Sequence, residues 1–230
     1  MDNKIRLNKF LAERLGVSRR EADDLIVSGR VFVNGKPAEL GRRVEETDEV
    51  RLGDEIVAHE NNYIYLILNK PGGYVCSKRR QGETPTIFEL LPEKYQKLKT
   101  VGRLDKDSSG IILLTNDGGF AFKMTHPKFL KTKVYVVELD RNLEPLHQQM
   151  IADFGVKLED GVSKLGLMRL GEGADERKKF EVTMSEGRNR QIRRTFSALG
   201  YSVVKLDRVL FGKYSAEGLK VGEFREVEKM

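Results

Sequence analysis

The stretch Val101-Gly-Arg-Leu-Asp105-Lys-Asp107-Ser-Ser-Gly110-Ile-Ile-Leu-Leu114-Thr-Asn-Asp117-Gly118 decides how the rest of this chain is read. It carries three acids. Asp105 lies between the apolar Leu104 and a polar run that ends at Gly110, and an apolar strand, Ile111 to Leu114, follows before an Asp-Gly turn. A loop carboxylate anchored by a buried strand suits chemistry, because the scaffold is rigid while the loop meets solvent. Taken alone, the pattern is more often that of turn-forming or solvated aspartates.

The composition, 39% apolar and 33% charged over 230 residues, is that of a soluble globular chain with room for one small and one medium domain. No apolar run approaches the roughly 18 residues that span a bilayer, and no membrane role is expected. The N-terminus shows no secretory pattern. Cys76, the single cysteine, excludes an internal disulfide and fits a reducing compartment, so a cytoplasmic monomer is expected. The net charge of +6 suggests an anionic partner. Residues 1–43 hold 10 basic and 6 acidic side chains, whereas residues 44–61 hold 1 basic and 7 acidic. Residues 62–230 return to excess, with 30 basic against 22 acidic.

Leu7, Phe10, Leu11 and Leu15 fall at helical spacing before Gly16, and Ser18-Arg-Arg-Glu21 is a capping box for a second helix striped by Ala22, Leu25 and Ile26. Arg30-Val-Phe-Val33, Asn34-Gly35 and Lys36-Pro-Ala read as a hairpin with a tight turn, and Glu49 to Leu52 as another strand. Residues 53–62, with His59, read as a polar linker.

Beyond it, Tyr63–Leu68 and Lys131–Leu139 read as strands, the latter placing Tyr135 among β-branched neighbours. Thr86–Leu91, Gly119–Met124 and Pro145–Ile151 read as short helices. Lys78, Arg79 and Arg80 form a basic cluster on a loop, and Thr125-His126-Pro127 a turn. Two short strands are expected around Asp160-Gly161, then a polar loop over residues 171–179 and a strand at Phe180–Met184. Asn189–Leu199 is a basic helix striped by Ile192, Phe196 and Leu199, and Val203–Leu210 alternates like a strand. Strand and helix do not alternate regularly, so an α+β fold with a mixed, mainly antiparallel sheet and flanking helices is expected.

Neither transition-metal spacing nor a phosphate-cradling glycine motif nor a dinucleotide fingerprint is present in the sequence, and no metal or cofactor is expected. What remains is a carboxylate, a strand tyrosine and Gln191-Ile-Arg193-Arg194 within a basic helix. The first 52 or so residues resemble the small RNA-binding module of ribosomal protein S-four, through Ser-Arg-Arg-Glu-Ala and Val-Asn-Gly-Lys at their separation. Gly102-Arg-Leu-Asp105-Lys-Asp-Ser-Ser-Gly110 resembles the catalytic motif of pseudouridine synthases. Asn69-Lys-Pro-Gly-Gly, Lys133-Val-Tyr135-Val, Glu186-Gly-Arg-Asn-Arg-Gln-Ile-Arg-Arg194 and Lys205-Leu-Asp-Arg208 resemble its companions in the same order. Together they are similar to the RsuA-type ribosomal-RNA pseudouridine synthases over about residues 5–226. Ser108, Ile111 and Thr195 depart from the usual Thr, Leu and Met. Thr-His-Pro and the Arg-rich helix look more like the large-subunit branch.

The resemblance implies two domains, an RNA-binding module with its linker at 1–61 and a catalytic domain at 62–230. It implies isomerisation of a uridine in ribosomal RNA, free or in a subunit precursor, without cofactor. Asp105 would be the essential carboxylate, by addition to the sugar carbon or by abstraction of a sugar proton. Arg193 would be its basic partner, Tyr135 the stacking tyrosine and Leu206 the aliphatic floor. RNA contacts would come from Lys9, Arg19, Arg20, Arg30, Lys36, Arg42 and Arg43 in the module, and from Arg103, Arg188, Arg190, Arg194, Lys205 and Arg208 beyond it. Asp107 would shape the loop and Asp117 a turn. A non-catalytic ribosome-associated RNA-binding protein is the rival reading.

Overall fold

The computed structural model describes residues 4–58, 62–171, 173 and 176–230, so His59 lies outside the described residues. The chain divides into two compact units, with the main boundary between Ile64 and Tyr65 and two short segments, 97–99 and 115–118, assigned to the first.

In the first unit, β1 (Ile5–Arg6) leads into α1 (Leu7–Leu15), which stops at Gly16 in the left-handed region. The second helix, α2 (Arg19–Val27), begins on a complete capping box: Ser18 Oγ accepts from the Glu21 amide at 3.1 Å and the Glu21 carboxylate accepts from the Ser18 amide at 2.6 Å. The hairpin of β2 (Val31–Val33) and β3 (Lys36–Pro37) turns on Asn34 and Gly35, both at positive φ (52° and 72°), the geometry a two-residue hairpin turn requires. Next, β4 (Arg43–Val44) pairs with β1, and β5 (Val50–Leu52) pairs with β2. Fully buried Leu7, Leu11, Val31, Val33 and Val50 form the core with Phe10, each large side chain contributing roughly 2 kcal/mol.

The expected linker is partly structure. Gly53 and Asp54 turn the chain into β6 (Glu55–Ile56), paired with β5, and Val57 is buried in the core. The polar composition concealed this because β6 is an exposed edge strand, where period-2 burial has no apolar face to display.

The second unit is built on a nine-stranded sheet. Its strands are β7 (Tyr65–Lys70), β8 (Lys99–Val101), β9 (Ser109–Thr115), β10 (Lys133–Leu139), then, after the β11 (Val156–Leu158) and β12 (Gly161–Ser163) hairpin, β13 (Gly166–Arg169), β14 (Lys179–Met184), β15 (Val203–Phe211), β16 (Tyr214–Ser215) and β17 (Phe224–Glu226). The order is β13-β14-β10-β15-β9-β7-β17, with β8 on β9 and β16 on β15. Pairing is antiparallel along β13-β14-β10-β15 and between β17 and β7, and parallel between β15 and β9. Helices α3 (Gly118–Thr125), α4 (Pro145–Gln149) and α5 (Gln191–Ser197) complete it, with α4 running on into a π-helical turn, Met150–Phe154. The mixed, mainly antiparallel α+β architecture is as expected. Residues Gly110–Thr115 of β9 are all buried, hence their unbroken apolar run. By contrast β10 buries every second residue, Tyr135 among them.

Besides β6, six strands escaped the sequence reading: β1, β4, β8, β13, β16 and β17. Each is four residues or fewer and none has a run of alternating apolar residues. Asp117 is also more than a turn former: it is 4% exposed and precedes α3, its amide donating to Thr115 Oγ1 at 3.0 Å.

Candidate active site

The loop from Leu104 to Ser108 is held from several sides. Its own turn is closed by the Ser108 amide donating to the Asp105 carbonyl at 3.1 Å. From the Asn69-Lys-Pro-Gly-Gly73 segment, the Gly73 amide donates to the Lys106 carbonyl at 2.8 Å. Lys70, fully buried at the end of β7, sends its ammonium to the carbonyls of Ser108 (2.6 Å), Pro71 (2.9 Å) and Lys106 (3.3 Å). Burial lowers the Lys70 pKa, with Cys76, Asp105 and Asp107 opposing the shift. Sequence reading gave Lys70 no role, although a lysine closing an apolar strand was the available signal. On another side the Leu104 amide donates to Cys76 Sγ at 3.4 Å.

Beyond the loop, β9 and β15 approach so closely that a Cβ at Gly110 would stand 2.2 Å from the Arg208 carbonyl oxygen and 2.5 Å from its nitrogen. Gly110 also has φ +99°, which L side chains rarely adopt. The parallel register Asp207↔Ser109 and Arg208↔Gly110, with Ser109 Oγ donating to Asp207 Oδ1 at 2.5 Å, fixes the loop against β15.

This scaffold sets Asp105, one-third exposed, on a cavity of about 430 Å³ whose wall includes Tyr135, Leu206, Lys133, Arg190 and Arg208. A pocket of that size accommodates a nucleoside. Tyr135 is 8% exposed opposite a β-bulge of β15 at Val209, and its cross-strand neighbour is Arg208. Leu206 is 6% exposed. The carboxylate, the tyrosine and the aliphatic residue therefore meet at one cavity, as the motifs implied.

The cations are distributed differently from the sequence reading. The ion pair to Asp105 is made by Arg190, Nη1 to Oδ2 at 3.6 Å. Arg190 precedes α5 with φ 47°, a conformation that costs a non-glycine residue roughly 1–2 kcal/mol. Arg193 instead clasps the loop backbone and β15: Nη2 donates to the Asp107 carbonyl at 3.0 Å and Nη1 to the Val203 carbonyl at 2.8 Å. Burial lowers its pKa, Arg190 adds to that, and Asp105 and Asp107 oppose it, so Arg193 also lies in the field of the carboxylate.

Arg188 and Arg194, expected at phosphates, are engaged internally. Arg188 Nη1 meets Asp160 Oδ1 at 2.9 Å and its Nη2 the Val162 carbonyl at 2.9 Å, while Arg194 Nη2 meets Asp160 Oδ2 at 2.7 Å. Arg194 pins the β11–β12 hairpin to α5 and Arg188 pins it to the segment before α5, because Asp160 at its tip offers a carboxylate to two arginines. Arg208 is buried at 2% exposure, its stem covered by the sheet, rather than facing outward. Arg103 and Lys205 are exposed. In the first unit Arg19, Arg20, Arg30, Lys36 and Arg43 are exposed, while Lys9 and Arg42 are half-buried, Lys9 lying 3.9 Å from Glu13. Thr195 is fully buried and donates to Ser163 Oγ at 2.7 Å, so a polar pair stands where the resemblance led us to expect methionine. Among the described residues, no three His, Cys, Asp or Glu are grouped to hold a metal ion.

The RNA pseudouridylate synthase family matches residues 64–198, a span that includes Asp105, Tyr135 and Arg190. The chain belongs to that family. Residues 5–50 match the S4 domain. Similar curated synthases include the ribosomal large subunit pseudouridine synthase B of Bacillus subtilis, 35% identical over 96% of this chain and 91% of that protein. The ribosomal small subunit pseudouridine synthase A of Pasteurella multocida is 36% identical over 97% and 96%. A solved pseudouridylate synthase matches with 32% identity and a TM-score of 0.69, over 97% of this chain and 96% of that one. The chain is thus an RNA pseudouridine synthase with an N-terminal S4 domain.

Proposed function

We propose that this synthase isomerises one uridine of ribosomal RNA, in the large subunit, with Asp105 as the essential carboxylate. The observation that carries the assignment is the placement of Asp105 on the rim of a nucleoside-sized cavity, paired with Arg190 and facing the wall that holds Tyr135 and Leu206. The Arg190 guanidinium stands 3.6 Å from the carboxylate that would either add to the sugar carbon or abstract a sugar proton. Arg193 fixes the loop on which that carboxylate stands. Tyr135 offers a stacking face to a base turned out of its helix, and Leu206 an apolar floor.

Residues 1–61 are the docking module, with Arg19, Arg20, Arg30, Lys36 and Arg43 as exposed phosphate contacts. Residues 62–230 carry the chemistry, with Arg103, Arg190 and Lys205 exposed for RNA. The protein works as a cytoplasmic monomer on ribosomal RNA or a subunit precursor. No helix among the described residues is long and apolar enough to cross a membrane.

Tritium release from ring-labelled uridine in unmodified ribosomal RNA tests this reading. Wild type is expected to release tritium from a large-subunit transcript or precursor, and Asp105→Asn to lose at least about a thousandfold in rate. Equal release by the variant would remove Asp105 from the mechanism. Release confined to small-subunit RNA would move the substrate, and no release from any ribosomal RNA would leave the rival binding-only reading.

A further inference from the structure

Arg208 is a buried cation with a hydrogen-bonding group to spare. Its Nε donates to the Ile111 carbonyl at 2.8 Å and its guanidinium lies 4.7 Å from the Phe211 ring centroid. Its Nη2 is buried and has no hydrogen-bond partner among the described residues. An unmade bond from a buried charged group is costly, and a folded chain tolerates it where a bound water or a ligand completes it. Arg188 and Arg193 also carry a buried unpartnered nitrogen, but theirs is the inner Nε of a guanidinium whose outer nitrogens are engaged. Arg14, with two such atoms, lies in the first unit over Phe10. Arg208 combines an unpartnered outer nitrogen with a place in the cavity wall.

We infer that the Arg208 guanidinium, turning its unpartnered Nη2 to the cavity surface, donates to a carbonyl oxygen of the uracil ring, and that its charge stabilises the base as it leaves the sugar. This rests on the uridine isomerisation proposed above. In that reaction the N1–C1′ bond breaks with its electron pair retained by N1, and the negative charge spreads onto O2 and O4. C1′ then bonds to C5, whose proton goes to solvent while N1 gains one, so atoms and electrons balance without a co-reactant. Of the other cations lining the cavity, Arg103 is exposed to solvent and Arg188 is tied to the β11–β12 hairpin. Arg190 is paired with Asp105, and the Lys133 ammonium is shared among the carbonyls of Lys131, Ser185 and Glu186 at 3.2–3.4 Å. Lys133 also feels the Arg208 charge, which, after burial, lowers its pKa further, and an anion between the two would relieve that repulsion. Gly110 belongs to the same device: its missing Cβ lets β15 come close enough to β9 for the Arg208 side chain to reach Ile111.

The test is single-turnover C-nucleoside formation on a large-subunit ribosomal transcript made with uridine or with 5-fluorouridine, resolved by chromatography of nuclease digests. Wild type, Arg208→Gln and Arg208→Lys are compared, each checked by thermal melt. Arg208→Gln is expected to lose roughly a hundredfold on the uridine transcript, the usual size for a lost donor to a developing oxyanion. On the fluorinated transcript C5 has no proton to release, so the C1′–C5 product is completed by water adding across C6=N1; the loss there should be at least tenfold smaller, because fluorine itself stabilises the leaving anion. Arg208→Lys should fall between, and it carries the comparison if Arg208→Gln does not fold. An equal loss on both transcripts, an unchanged rate, or unfolding of both variants overturns the inference and leaves Arg208 a structural strut. Wild type inactive on the uridine transcript removes the substrate reading, and this inference with it.

Discussion

At the scale of single residues, the site depends on groups that never touch the reacting atoms. Lys70 and Arg193 spend their charge on loop carbonyls, and Gly110 contributes by what it lacks. Gly110→Ala would drive a Cβ into the Arg208 backbone at 2.2 Å and force an L side chain to φ +99°. We expect a loss of about 3 kcal/mol or more, visible in chemical denaturation or as failure to accumulate soluble protein. A change under about 0.5 kcal/mol would mean that β9 and β15 are not held this close. Asp105, Tyr135 and Leu206 were legible in the sequence because each sits in a distinctive local motif. The partner of Asp105 was not. Arg190 and Arg193 are three residues apart on one basic stretch, and the left-handed turn at Arg190 decides which of them faces the carboxylate.

At the scale of elements, local patterns were reliable where burial has a clear period. The two N-terminal helices, the Asn34-Gly35 hairpin and the strands containing Tyr135 and Leu206 all follow from spacing. The capping box at Ser18 should be worth about 1 kcal/mol, so Ser18→Ala is expected to lower stability by that amount in urea denaturation. The same unit has an acid-sensitive clasp. Asp48 Oδ2 accepts from the Glu45 amide at 2.8 Å and Oδ1 from Asn34 Nδ2 at 2.7 Å, and these bonds, the Glu45 amide first, lower its pKa. A carboxylate with a lowered folded-state pKa contributes stability above the unfolded value and loses it as pH falls through the folded one. The melting temperature of wild type should therefore exceed that of Asp48→Asn near neutrality, and the gap should close in acid, below the ordinary aspartate range. A gap that stayed constant with pH would rule out this clasp. Edge strands were the weak point of the sequence reading, since β6, β16 and β17 are two or three residues long and carry no readable alternation.

At the scale of the whole molecule, binding and chemistry are assigned to different parts of the chain. Arg19 and Arg20 are exposed at the start of α2, in the unit that matches the S4 domain, while the cavity with Asp105 is lined by residues from Gly102 onward. Arg19→Glu with Arg20→Glu should weaken ribosomal-RNA binding and flatten its dependence on salt, by a slope of roughly 1–2 for the phosphates no longer neutralised. The single-turnover rate at saturating RNA should stay within about twofold of wild type. Binding with unchanged affinity and salt slope would place the docking surface elsewhere.

Family, domain order, class of sheet and the prominence of Asp105 were all readable from the sequence alone. These are written in local periods and short motifs, which survive without knowledge of what packs on what. The tertiary structure alone decided how the charges are spent. It turned Arg188 and Arg194 onto Asp160, gave the Asp105 ion pair to Arg190, and buried Arg208 in the cavity wall. Charge is attached to a residue type, but its partner is set by distances of 3 to 4 Å between segments remote in the chain, and no local pattern in the sequence encodes those. The stretch around Asp105 announced where chemistry belongs, and the approach of β15 to Gly110 brought Arg208 into the wall of the same cavity.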